Sequence, residues 1–364
     1  MSAVDIAVFD PPGEIPEEFF ALAGQARESG SVPGPGRDER AAFAPDHPFY
    51  RRGGRERGFV ALRNGTPVAR TVACLTPALA EEGIGLAGFF EATDDPEAVR
   101  VLLDAAGAWL AAQGMRVVRG PMNRDTWHRY RCMVEGFDAE PILMEPANPP
   151  FYAALFEHAG FRETARYCST LNEDLPAIAQ RHDRFLDRCV RHGCRLRPFD
   201  TGRAEDELRL LYRISLEAFA DNFSYSPISE DEFMMLYRPV TRFLDPRLVG
   251  FALTPDGAPA GYYFGVPEWM EAAARDGGTA PDTAPPEGAL VRTFNFKTVC
   301  VVPRARRRGI GEAMVAHLYR AALAAGYTRS RHCLMIMSNA SRRYDEGLGA
   351  IIKQYALYDR PLGD

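Results

Sequence analysis

Hydrophobic and polar positions alternate between two periods along the chain, and they do so in the same order twice. In the first half, "GFVALRNGTPVARTVACL" shows the two-residue period of a hairpin folded at Asn64-Gly65, and "GIGLAGFFEA" reads as a further strand. "DDPEAVRVLLDAAGAWLAAQG" shifts to the helical period, with acids and Pro96 at its start and Gly114 at its end. Strand "RVVRGPM", short helix "NPPFYAALFEHAGF" and strand "RYCSTLN" follow. The second half runs from strand "CRLRPFD" to helix "RAEDELRLLYRISLEAFA" and a second helix that Ser229 caps. A hairpin at Asp256-Gly257, strand "RTFNFKTVCVV" and helix "GIGEAMVAHLYRAALAAG" come next. Strand "RHCLMIMSN", short helix "ASRRYDEGLG" and strand "AIIKQYALYD" complete it. The repeat predicts a mixed α/β, α+β-like chain of two related domains, residues 1–174 and 194–364. Residues 175–193 form a connecting helix, and a Pro/Gly/Ala-rich mobile insertion covers 271–289.

The chain has 364 residues, enough for two cores of ordinary size. Its net charge of −6 argues against a dedicated nucleic-acid binder. Of its 43 basic residues only Lys297 and Lys353 are lysines, so arginine runs say little about partners. In the connecting helix, Arg181, Arg184, Arg188 and Arg191 are interleaved with Asp183 and Asp187, the pattern of a salt-bridged, solvated face. Seven dispersed cysteines predict reduced thiols, and the spacing of His182, Cys189, His192 and Cys194 fits no common zinc module. No metal is expected. With no run near the roughly 20 apolar residues of a membrane span, and no secretory leader pattern at "MSAVDIAVFDPPGE", the expectation is a cytoplasmic protein that does not enter a membrane.

The stretch "VVPRARRRGIGEA" carries the sharpest chemistry. A strand, a glycine-containing turn and a helix present unpaired N–H groups to an anion, and Gly309 and Gly311 let a phosphate approach the backbone. Neither a Walker loop nor a dinucleotide GxGxxG is present. Arg306-x-x-Gly309-x-Gly311 after "VCVVP" resembles the acyl-CoA pyrophosphate loop of the GCN5-related N-acetyltransferase (GNAT) superfamily. The resemblance implies two GNAT-type domains, each a mostly antiparallel mixed sheet flanked by helices. It implies that backbone amides from Arg306 through Arg307, Arg308, Gly309 and Ile310 to Gly311 hold the pyrophosphate. The pantetheine arm would lie in a splay between strands 292–302 and 331–338, with main-chain N–H groups of Val299, Cys300 or Val301 on the thioester carbonyl and Asn339 on the cofactor side. The first half resembles a degenerate copy: it keeps "NPPFYAALFEHAGF" and "VEGFD", but places Asp94, Asp95 and Glu97 where the phosphate loop belongs.

The same resemblance implies an N-acyltransferase that moves an acyl group to an amine by direct attack. The donor is acetyl-CoA, a longer acyl-CoA, or an acyl-phosphopantetheine on an acyl carrier protein; the acceptor is a small-molecule or peptide amine. Strand 292–302 offers no glutamate as base, leaving Asn295, Lys297 and Thr298 as its polar groups. Tyr344 reads equally as leaving-group acid or packing residue, its spacing to Gly349 being one longer than the family's, and Glu346 as catalytic or surface charge. Asn222, Phe223 and Tyr225 are candidates for the acceptor wall, with Trp127 and His128 facing it from the first half. A homodimer is compatible with this arrangement. Two other readings stay open: an acyl-CoA-binding scaffold without catalysis, and an aminoacyl-tRNA-dependent transferase.

Overall fold

The computed structural model describes residues 3–22, 39–270 and 291–363; the expected insertion at 271–289 lies outside the described residues. Among the described residues, thirteen strands form one sheet. The first half contributes β1 (Val4–Phe9), β2 (Arg55–Arg63), β3 (Thr66–Leu75), β4 (Ile84–Ala92), β5 (Val117–Gly120), β6 (Cys132–Glu135) and β7 (Arg162–Asn172). The second contributes β8 (Arg195–Pro198), β9 (Val249–Leu253), β10 (Pro259–Pro267), β11 (Thr293–Val301), β12 (Arg329–Ile336) and β13 (Ala350–Pro361). Asn64 and Gly65 both take positive φ (54° and 79°), as a two-residue hairpin turn requires, and this sets the β2–β3 register. The edge strand β1, with its own short alternation, extends the sheet beyond the predicted strands.

Helices cover the sheet: α1 (Glu17–Ala21), α2 (Pro48–Arg51), α3 (Pro77–Glu81), α4 (Pro96–Ala112), α5 (Tyr152–His158), α6 (Leu175–Arg191), α7 (Ala204–Ala218), α8 (Glu230–Tyr237) and α9 (Ile310–Ala324). The Ser229 side chain accepts the Glu232 N–H, the cap expected for α8. Helix α6 is more than a solvated link. Leu175, Ile178, Ala179, His182, Leu186 and Cys189 bury one of its faces, and it packs along α9. Its His182 ring bonds the Tyr344 carbonyl at 2.9 Å. Residues 340–349, expected as a short helix, form only a 3-10 turn over Ala340–Tyr344.

The strand order is β1-β2-β3-β4-β5-β13-β7-β12-β11-β10-β9-β8, with β6 also on β13. The two halves therefore interlock. Strand β13, last in the chain, lies between β5 and β7, while β7 from the first half pairs with β12 of the second. A boundary at residue 174 separates the two runs of sequence but not the sheet. Among the described residues, no helix is long and apolar enough to cross a membrane.

Candidate active site

Beyond Val301 the chain turns through Pro303–Ala305, and Arg306 N–H closes on the Pro303 carbonyl at 3.2 Å. Arg307 (φ 64°) and Gly309 (φ 76°) then bend it into the left-handed region before α9 begins. No side chain caps α9, and among the described residues the backbone N–H groups of 307–312 bond no carbonyl; the first closure is Ala313 N–H on Gly309 at 3.0 Å. This row of free donors at a helix start fits a pyrophosphate. A Cβ at Gly309 would lie 2.8 Å from the Phe185 ring on α6, and one at Gly311 would lie 2.6 Å from the Tyr344 hydroxyl. Arg306 braces the loop instead of facing a ligand, since its guanidinium donates to the carbonyls of Val301 (3.1 Å) and Ala218 (2.8 Å). Arg307 and Arg308 are exposed at the loop's outer side. The matching helix start in the first half is closed: Asp95 accepts the Ala98 N–H at 3.0 Å, and Arg63 clamps Asp95 and Glu97.

Strands β11 and β12 pair in parallel only from Thr293–Arg329 to Phe296–His332, then splay. Lys297 is the extra residue of a bulge on β11, opposite the Phe264–Gly265 step of β10. On β12 the ladder to β7 breaks between His332 and Met335, with Leu334 at φ 57°. A cavity of about 1030 Å³ opens at this splay and is lined by both halves. Trp127, His128, Asn222, Phe223, Tyr225, Val299, Asn339 and Tyr344 all line it, so residues far apart in sequence meet there. Trp127 crosses from the first half, donating through Nε1 to the Ser226 carbonyl (2.9 Å) beside Tyr225 and Phe233.

No family model matches the chain. Over 223 residues it is 32% identical to a protein named bacterial ceramide synthase from Caulobacter vibrioides, covering 59% of this chain and 57% of that one. Protein YghO of Escherichia coli is 28% identical over 224 residues, covering 59% and 56%. The chain thus spans just over half the length of these relatives. Among solved structures, a tandem GNAT protein from the clavulanic acid biosynthesis pathway superposes with a TM-score of 0.53 at 12% identity, over 100% of this chain and 99% of that one. A probable N-acyltransferase from Enterococcus faecalis gives 0.54 at 9% identity, over 98% and 73%. The chain has the tandem GNAT fold.

Within this GNAT fold two of the expected side chains, those of Asn295 and Glu346, lie outside the cavity. Asn295 is fully buried and donates to Glu268 at 2.8 Å, because it pairs with Arg331 in the stretch of β11 and β12 that precedes the splay. Glu346 is exposed outside the cavity, and its main-chain carbonyl accepts from Arg181. The Cys300 thiol is packed in the core against Tyr262, and burial pushes its pKa up to about 12, which leaves the residue only its backbone to offer. Asn339 uses its side chain to cap the turn at Ser341 (3.1 Å). The Tyr344 hydroxyl points at Gly311, and burial raises its pKa above the usual tyrosine range, so it stays a proton donor.

Pairing the two halves supplies groups the GNAT strand itself lacks. Buried Glu145, from the loop before α5, lies 3.6 Å from Lys297 Nζ and accepts from Ser169 (3.0 Å) and from the Tyr355 hydroxyl. Its position was hidden in "LMEPANPP", where nothing distinguishes a loop acid from any other. A second cluster joins Asp125, His128 and Arg52 to Glu232 of the second half. His128 Nδ1 meets Asp125 at 2.7 Å, and Arg52 bonds both carboxylates at 2.9 Å. Burial works to raise the Asp125 pKa, but His128 and Arg52 outweigh it and hold the carboxyl below its usual range. Ligand atoms of Asp125, His128 and Glu232 lie within 4.8 Å of one another, although Arg52 already supplies positive charge to both acids.

Proposed function

We propose that the chain is an acyl-CoA-dependent N-acyltransferase that forms an amide on an amine held in the cleft between its halves. The observation that carries this reading is the row of free N–H groups at 307–312, set beside a splay that opens into a cavity lined by both halves. The cavity, about 1030 Å³, is at the upper end of small-ligand sites, which run from about 300 to 1,000 Å³. That size suits an acyl chain and an acceptor together. The ceramide synthase named among the relatives supports a long acyl chain and an amino-lipid or similar amine.

Bound acyl-CoA would supply the activated carbonyl. The loop N–H groups and the start of α9 hold its phosphates, and the open edge of β11 from Lys297 to Val301 presents main-chain donors to the carbonyl oxygen. Glu145 accepts the proton of the attacking amine. The Tyr344 hydroxyl, at the start of α9, returns a proton to the leaving sulfur.

Thiol release should be followed with acyl-CoAs from acetyl to palmitoyl against a panel of amines that includes long-chain amino alcohols, with mass spectrometry of the amide product. Glu145→Gln is expected to lower kcat by about 10²–10⁴-fold, the usual worth of a positioned base, with CoA affinity retained. Calorimetry of CoA on the Gly309→Glu, Gly311→Glu double variant should show loss of binding. Equal affinity in that variant removes the phosphate assignment, and absence of thiol release with every pair removes the activity.

A further inference from the structure

Five arginines are buried in the described structure: Arg70, Arg119, Arg124, Arg131 and Arg331. Four of them lie against a carboxylate. Arg70 meets Glu39 at 2.8 Å, Arg119 meets Asp359 at 2.7 Å, Arg124 meets Glu56 at 2.8 Å and Arg331 meets Glu268 at 2.9 Å. Arg131 is the exception. It is 6% exposed and lines the cavity between the halves. Its guanidinium lies in the corner formed by the near-perpendicular rings of Tyr130 (3.6 Å) and Tyr167 (4.1 Å). Nη1 makes one long bond, 3.4 Å, to the Leu334 carbonyl, and the buried Nε makes none. Two aromatic faces offset part of the cost of burying this cation, but they do not satisfy its N–H groups. What is missing is an anion with oxygen acceptors, arriving through the cavity.

The position of Arg131 indicates which substrate carries that anion. Leu334, whose carbonyl it bonds, donates its own N–H to Ser169 Oγ at 3.1 Å, and Ser169 in turn donates to Glu145. Arg131 and the proposed base are thus linked through one β12 residue and one serine, without pairing with each other. We infer that the acceptor is an amine bearing an anionic oxygen group, a carboxylate or a phosphate monoester, with the amine at Glu145 and the anion at Arg131. This inference rests on the N-acyltransfer reading above. It goes further by fixing the charge of the acceptor's non-reacting end.

The test uses the full chain and amines matched in carbon skeleton that end in a carboxylate, a phosphate or a neutral hydroxyl, all with one acyl-CoA. Wild type should favour one anionic member, and which one identifies the group. Arg131→Gln should reduce kcat/KM for that amine about 10- to 100-fold, the worth of a lost charged hydrogen bond. The loss should fall mainly in KM, so the anionic-to-neutral preference collapses, and Arg131→Lys should restore part of it. Unfolding midpoints of both variants check that the fold is retained, and calorimetric binding of the anionic amine without donor gives a readout independent of turnover. A wild type that prefers the neutral amine, or an Arg131→Gln enzyme with unchanged preference, overturns the inference while leaving amide formation standing. If no amine is acylated, the activity fails, yet anion binding by wild type that Arg131→Gln lacks still establishes the site.

Discussion

At Gly311 the fold has no space for even one carbon, because a Cβ would meet the Tyr344 hydroxyl at 2.6 Å. Gly309 has the same constraint against Phe185 and in addition holds φ 76°, which only glycine adopts without strain. Gly311→Ala is therefore expected to push the Tyr344 ring out of position, costing about 1–3 kcal/mol as an overpacked site does and slowing turnover more than it weakens CoA binding. Urea unfolding and thiol-release kinetics on the same preparation separate the two effects, and a variant as stable and active as wild type would contradict the contact. The two glycines were legible in the sequence because a turn pattern names its residue types directly. Arg306 was legible only as a motif letter. Its side chain is a brace, since its length lets it fold back onto Val301 and Ala218. Glu145 and Arg131 were not legible as a pair, because their meeting depends on which strands become neighbours.

Most elements follow from local pattern, the caps and hairpin turns best of all, since the residues that set them lie within a few positions of one another. The segment 340–349 is the exception. Its spacing reads as a helix, yet tertiary contacts hold it as a turn: Asp345 accepts from Thr170 and lies 3.3 Å from His332, while its carbonyl accepts the Leu348 and Gly349 N–H groups. Burial pushes the Asp345 pKa up, but the His332 ring, the Thr170 donor and the nearby Asn172 amide more than reverse this and bring it down to about 2. Because the folded pKa is depressed, the stabilisation is full above about pH 4, the unfolded value, and is lost as pH falls through about 2. A shift of this size is worth about 2 kcal/mol. Wild type and Asp345→Asn should therefore differ most in denaturant midpoint near neutral pH, with the gap narrowing from pH 4 downwards. A gap independent of pH over that range would show that the carboxylate's charge is not what holds the turn.

For the whole molecule, the decisive feature is the exchange of strands between halves. The pattern of "AIIKQYALYD" is the same whichever strands it pairs with, so a repeated element order suggests two closed units when the chain in fact builds one sheet. Strand β13 supplies the neighbour of β5, and its Tyr358 stacks on Phe156 in the first half's core, 5.6 Å between ring centroids. Strand β7 supplies the neighbour of β12, and Trp127 and Arg52 bind the first half to α8 and the loop before it. The first half's core is completed by Tyr355, Ala356, Leu357 and Tyr358 of β13, so unfolding should be a single transition. Trp109 reports on the first half and Trp269 on the second, while Trp127 reports on the contact between them. Variants that keep one tryptophan each should share the same midpoint. Ala356→Pro tests the coupling more severely. Ala356 is fully buried on β13 and pairs with Cys132 on β6 and Arg166 on β7, so proline there removes a ladder bond from the middle of the sheet. The expected cost is about 3 kcal/mol or more, lowering both fluorescence transitions equally although the substitution lies far from Trp269 in the strand order. If Trp269 kept its wild-type midpoint while the first half melted early, the halves would be independent domains that only share an edge. The cavity between them would then be a mobile interface rather than a fixed site.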